Sequence, residues 1–223
     1  MSKHMERDLE RLHRAVLKMA GAVEEAIYQA TRALQDLDPA AARAVVAGDA
    51  EIDRLENEVQ DECLKILALH QPVAVDLRRV SAVLLISTDL ERMGDLAVGI
   101  AERCLECGGR PPQGLLDRIA RMTRSATEMV RRSLDAFVHS DPVSARAVIR
   151  MDDQVDADNA AIIEELIGRM KQSPDQIEAG LSLFSAVRHL ERIADHATNI
   201  AEDVIYLVDG EVVRHKPEAL GDR

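Results

Sequence analysis

The sequence predicts an all-α fold: a tandem pair of three-helix bundles, six long helices in all, related by a pseudo-twofold repeat. Three observations carry this. Apolar residues recur at alternating spacings of three and four along most of the 223 residues, no stretch alternates with period two for long enough to argue for a strand, and the pattern of the first half returns in the second. At 47% apolar and 2% aromatic residues, the core has to be Leu, Val, Ile, Ala and Met. With no Trp, two Tyr and two Phe there is no stacking platform for single-stranded nucleic acid, and a formal charge of -12 repels phosphate backbones, so direct DNA or RNA binding is not expected.

The first helix follows from the seam Leu9, Leu12, Val16, Met19, Val23, Ala26, Ala30, Ala33 and Leu37. It stops at Asp38-Pro39, where Asp caps a second helix and Pro occupies its first turn, which needs no donor from it. The second runs through Val45, Ile52, Val59, Cys63 and Ile66 to His70-Gln71-Pro72, since Pro disfavours helix at the preceding residue. The third is long and reaches about Cys104. Gly108-Gly-Arg-Pro-Pro-Gln-Gly114 then gathers the strongest helix breakers in the chain and is the expected linker. Residues 1–107 are thereby expected to form the first bundle, 108–114 the linker, 115–209 the second bundle and 210–223 a C-terminal tail.

The second unit repeats the first. Leu115, Ile119, Met122, Ala126, Met129 and Ser133 restate the first seam, and Asp141-Pro142 restates Asp38-Pro39 at an offset of 103. Residues 38–53 and 141–156 share eight identities in sixteen, and residues 91–102 and 191–202 share seven in twelve at an offset of 100. Three residues have been lost in between. The loss belongs at the turn near Ser173-Pro174, because a deletion inside a helix would rotate everything after it off the apolar face.

Each unit carries two acid-x-x-x-acid pairs: Asp49/Asp53 with Glu91/Asp95, then Asp152/Asp156 with Glu191/Asp195. A spacing of four puts both acids of a pair on one helical face. If the second and third helices are antiparallel about Gln71-Pro72, the centres of the two pairs, positions 51 and 93, are equidistant from 72 and lie level. In the second unit the centres, 154 and 193, place the turn at about 173 to 174. Four acids per unit therefore share a level, and they interrupt apolar stripes, as Glu91 and Asp95 do after Leu77, Val80 and Leu84. Like charges crowded into partly desolvated space oppose folding, so a cation is expected among them. Carboxylate-only donors suit magnesium, calcium, manganese or iron, and four acids at one level could bridge more than one ion, whereas zinc usually recruits Cys or His as well.

Other chemistry is sparse. Cys104-Leu-Glu-Cys107 resembles half a zinc knuckle, but the antiparallel register puts Cys63 about 35 Å away. The di-iron motif Glu-x-x-His occurs as Glu10-Arg-Leu-His13 without a duplicate where one should be. No phosphate loop, nucleophile elbow or Ser/His/Asp grouping is present, so no catalytic residue is expected. The charged opening residues give no export signal, three cysteines suit a reducing compartment, and the most apolar stretch, Val80 to Ile86, is too short to span a bilayer. The expected location is cytoplasmic, with membrane association only through partners. A homodimer is also expected, since long bundles leave extended apolar edges.

The segments Leu90-Glu-Arg-Met-Gly-Asp-Leu-Ala-Val-Gly-Ile-Ala-Glu102 and Leu190-Glu-Arg-Ile-Ala-Asp-His-Ala-Thr-Asn-Ile-Ala-Glu202 resemble the signature of the PhoU family, the phosphate-transport-system regulatory proteins. The resemblance covers about His4 to Val208 and includes the Leu77-Arg78-Arg79 entry to the third helix. It implies a negative regulator of phosphate uptake and of the phosphate-starvation response, without catalysis, acting on the ATPase subunit of the phosphate-specific ABC transporter and on its sensor histidine kinase. It also implies metal binding, iron first with manganese, magnesium or zinc as alternatives, at Glu91, Asp95, Glu191 and Asp195, with Asp49, Asp53, Asp152 and Asp156 facing them. Ala194 stands where the family often has the Gly kept here as Gly94, and Leu96 where it often has the His kept as His196. Rival readings are an accessory protein of a low-affinity phosphate carrier and a bundle-core metal oxidase or phosphohydrolase.

Overall fold

The computed structural model describes residues 3–107, 113–210 and 213. They form six α-helices, α1 (Lys3–Asp36), α2 (Pro39–His70), α3 (Ala74–Glu106), α4 (Gln113–His139), α5 (Pro142–Gln172) and α6 (Ile177–Asp209), with a 3-10 turn at Pro174–Gln176 and no strand among the described residues. Most of the expected linker, 108–112, and nearly all of the tail lie outside the described residues.

Both Asp-Pro junctions form as local chemistry dictates. Leu37 and Ser140 take left-handed backbone angles that end α1 and α4, and the next residue's N–H returns to the helix, Asp38 N to Ala33 O and Asp141 N to Ala136 O, both at 2.9 Å. The Asp38 carboxylate accepts from Ala40 N and Ala41 N, and that of Asp141 from Val143 N and Ser144 N. Asp141 also accepts from Ser144 Oγ at 2.6 Å, which holds its carboxyl below the usual carboxylate range. Asp141→Ala is expected to lower the melting temperature by about 2–4 °C while Asp141→Asn, which can still cap, restores most of it; circular-dichroism melts of the three proteins check this.

The lost residues fall where the helical register requires. By the repeat alignment, residues 70–73 of the first unit are matched by Ser173 alone, and the first three residues of α3 by the 3-10 turn. The antiparallel register of α2 and α3 is fixed by Cys63, whose thiol approaches Val80 O at 3.9 Å.

Within each unit the three helices pack mutually, and α3 against α6 is the most extensive pairing of all, assisted by α1 against α4. One contiguous apolar core runs through both triplets. Small buried residues at the centre, Ala97, Ala101, Ala197 and Ala201, let α3 and α6 approach closely. These two helices are antiparallel, so equivalent positions meet across a local pseudo-dyad. Asp89 of α3 meets His196 and Asn199 of α6, at 2.7 Å from His196 Nδ1 and 3.2 Å from Asn199 Nδ2. The mirrored contact sets His189 over Gly99, where a Cβ would lie 2.9 Å from His189 Nε2. Duplication has kept the positions and changed their chemistry.

Candidate metal centre

The structure brings the four acids of each unit onto one level between neighbouring helices. In the first, burial raises the Asp49 carboxyl, and the charges of Asp53 and of Asp95 from the opposite helix raise it further. Burial likewise raises Glu91, reinforced by Asp95, by Glu56 and by Asp53 across the helix pair. In the second, Asp152 is pushed up to about 7 by burial, then by Asp195, Asp156, Asp153 and Glu191. Glu191 and Asp195 are raised too, burial first in both cases.

Each pair is oriented more unequally than the spacing suggests. Asp49, Glu91, Asp152 and Glu191 are half-buried, whereas Asp53, Asp95, Asp156 and Asp195 are exposed. Four residues overshoot a helical turn by about 40°, enough to carry the second acid from the packing seam towards solvent. Asp49 Oδ1, Asp152 Oδ1 and Glu191 Oε2 are buried without a hydrogen-bond partner, a costly state that a cation would relieve. Donor type and charge therefore fit a hard cation. The side chains as placed do not converge into a group of three that could hold an ion anywhere among the described residues, so binding requires their rotamers to close inward.

Neighbouring arginines leave the first cluster open. Arg54 pairs with Glu51 and Glu58 on the solvent side of α2, and Arg92 and Arg192 are exposed. In the second, Arg188 Nη1 lies 2.7 Å from Glu191 Oε1, a cation supplied by the chain itself where the first unit has Thr88. Gly94 sits at the helix crossing: an added Cβ would approach Ile52 Cδ1 to 3.0 Å and Asp49 Oδ1 to 3.8 Å. The second copy has Ala194 there, and Val155 in place of Ile52 removes the Cδ1 that would clash. The enclosure is kept by a paired change.

The other candidate ligands stay apart from both clusters. His13 stacks on Phe137 of α4, with ring centroids 5.8 Å apart. Cys63 is buried, which pushes its thiol up to about 12, and the Cys104 thiol donates to Ala33 O at 3.1 Å. His196, adjacent in sequence to Asp195, turns instead to Asp89. The Asp89–His196–Asn199 contact was not anticipated from sequence; its only signal is an Asp inside the apolar stripe of α3.

The protein-family model described as the PhoU domain matches twice, at residues 16–104 and 119–204. Among curated relatives, the phosphate-specific transport system accessory protein PhoU homolog of Aquifex aeolicus is 40% identical over 210 residues, covering 94% of this chain and 95% of that one. The homolog of Pseudomonas putida is 37% identical over 217 residues, covering 96% and 84%. Among solved structures, PhoU from Pseudomonas aeruginosa superposes with a TM-score of 0.89 at 37% identity, over 92% of this chain and 99% of that one. The phosphate transport system regulatory protein PhoU from Streptococcus pneumoniae gives 0.87 at 31% identity, over 94% and 99%.

Proposed function

The chain belongs to the PhoU family, and from that premise we propose that it is an accessory protein of a phosphate-specific transport system and a non-catalytic negative regulator of phosphate uptake and the phosphate-starvation response. The observation that carries this reading is the agreement with relatives of that name across both repeats and almost the whole chain. Its partners are the ATPase subunit of the phosphate ABC transporter and the sensor histidine kinase, which it meets at the cytoplasmic face of the membrane; the chain reaches the membrane only through them. No described helix is long and apolar enough to cross a bilayer. In solution it is a homodimer.

The acidic clusters supply the regulatory face. The eight acids Asp49, Asp53, Glu91, Asp95, Asp152, Asp156, Glu191 and Asp195 hold cations, iron first, with manganese, magnesium or zinc as alternatives. A bound cation contributes charge compensation, turning a strongly repulsive surface into one that a partner carboxylate can approach or share.

Two measurements test this. In cells lacking the protein, a phosphate-starvation reporter should be on in phosphate-rich medium and return to off when the chain is supplied. A reporter that ignores the chain sinks the regulatory reading. Purified protein should contain metal by elemental analysis, and saturation at 100 times Kd should stabilise it by about 2.7 kcal/mol, reversed by chelator. The Glu91→Ala/Asp95→Ala/Glu191→Ala/Asp195→Ala variant should lose both the metal and its co-purification with the ATPase subunit. If it keeps the partner, the clusters have no part in docking.

A further inference from the structure

In the first unit, α1, α2 and α3 enclose an apolar pocket of about 250 Å3 beside Asp49. Its walls are small or aliphatic: Ala22 and Ala26 of α1, Val45 and Gly48 of α2, and Val98 of α3. The second unit closes the same place. At the repeat offset of 103, Met129 stands for Ala26 and Met151 for Gly48. Met129 is fully buried and Met151 packs against the core, whereas Ala26 is only half-buried and Gly48 is exposed. Two side chains that fill one copy are therefore replaced in the other by a methyl group and a hydrogen. The space is open enough that a Cβ added at Gly48 would meet no atom within 4 Å. A glycine inside a helix costs about 0.5–1 kcal/mol relative to alanine, so the stability of α2 gives no reason to keep it.

The rim is acidic. Glu25, Asp49 and Glu51 line the pocket, and no Lys or Arg does. Glu51 is compensated, since it pairs with Lys18 and with Arg54, which it shares with Glu58. Glu25 is not: it accepts from the neutral Gln29 amide at 2.6 Å and has no ion pair among the described residues. Asp49 is crowded by Asp53 and Asp95 instead of being met by a cation. The other nearby cations do not change this balance. Arg32 pairs with Asp36, and Arg43, two positions from both Ala41 and Val45, lies about 200° round α2 from the pocket side.

We propose that this pocket is a docking site for another protein, which inserts one side chain of Leu, Met or Phe size from a basic amphipathic segment. The pocket is smaller than the roughly 300–1,000 Å3 of small-molecule sites and suits a single apolar anchor, the kind of contact in which binding energy concentrates. Lys or Arg residues flanking the anchor meet Glu25 and the uncompensated charge around Asp49, which selects a basic segment over an acidic one. The inference stands apart from metal binding and from the regulatory role.

The test titrates the intact chain, in EDTA, with three synthetic helical peptides. One carries Lys on one face and Leu on the other, the second has every Lys replaced by Glu, and the third has every Leu replaced by Ser. Calorimetry should show the Lys/Leu peptide binding in a salt-sensitive way and the other two binding at least tenfold more weakly. Ala26→Met/Gly48→Met, which copies the second unit, should bind the Lys/Leu peptide at least tenfold more weakly while melting at or above wild type. Gly48→Met alone should act in the same direction and serves if the double variant melts low. Glu25→Gln should weaken binding severalfold, and Ala160→Met, exposed on α5, should leave it unchanged. A photoreactive Leu analogue in the peptide should cross-link within residues 22–29 or 41–52. Absence of binding, binding indifferent to the filled pocket, or equal binding of the Lys/Ser peptide overturns the proposal.

Discussion

Asp89→Ala is expected to lower global stability by about 2 kcal/mol, because it strips the acceptor from two partly buried donors between the halves of the molecule. Asp89 is 8% exposed and its carboxylate takes both the His196 and the Asn199 hydrogen bonds. Removing it leaves an imidazole and an amide facing a cavity in the most extensive helix pairing of the fold. The repeat supplies the compensating change. The first copy places Leu96 at the position of His196, so the Asp89→Ala/His196→Leu double variant should recover part of the loss by replacing an unpaired polar group with an apolar one. Urea unfolding followed by circular dichroism measures both proteins. The coupling between the halves also predicts the shape of the curves: wild type unfolds in one transition through its shared core, and Asp89→Ala should broaden that transition or split it in two. A single variant within about 0.5 kcal/mol of wild type, with an unchanged curve, would show that water replaces the carboxylate and that the joint does not depend on it.

What could be read from the chain depended on how local its cause was. The Asp38-Pro39 and Asp141-Pro142 starts are decided by a carboxylate two residues from the N–H groups it caps, so the boundaries of α2 and α5 follow from a few letters. The level of the acid pairs was equally legible, because one short turn fixes the register of two helices, and the Cys63 to Val80 approach agrees with that register. Rotation was less legible than level. The spacing placed Asp53 and Asp95 with their partners, but the overshoot of each helical turn leaves them on the solvent side. The joint between the units was not legible at all. Asp89 and His196 are 107 residues apart, and their meeting depends on how α3 crosses α6, about which an apolar stripe specifies only the face.

Asp152→Asn, by contrast, is expected to stabilise the protein at pH 8 in the presence of EDTA. Asp152 stands at the centre of the second cluster, with one oxygen buried and unpartnered and four acids raising its carboxyl beyond the effect of burial, to about 7. In an unfolded chain an aspartate titrates near 3.8. Between these values the folded chain binds a proton that the unfolded chain has released, so stability falls as pH rises from about 4 to about 7, and the penalty is complete above 7. Solvent on the open side of the cluster screens the effect, which leaves about 1–2 kcal/mol of destabilisation, or about 2–6 °C in the melting temperature of a chain this size. Asn carries no charge to desolvate, and its amide can donate to a neighbouring carboxylate, so the variant should melt above wild type at pH 8 and level with it near pH 4.5. Glu164→Gln is the control: its side chain is exposed on the same helix, it is not among the acids acting on Asp152, and it should shift neither value. Metal reverses the order, because the ionised carboxylate that weakens the metal-free bundle is the group a cation needs, and wild type should gain more from iron or manganese than Asp152→Asn does. If the variant melts below wild type at pH 8 in EDTA, the acids are not held in mutual repulsion, and the reason for expecting a cation between α5 and α6 goes with it.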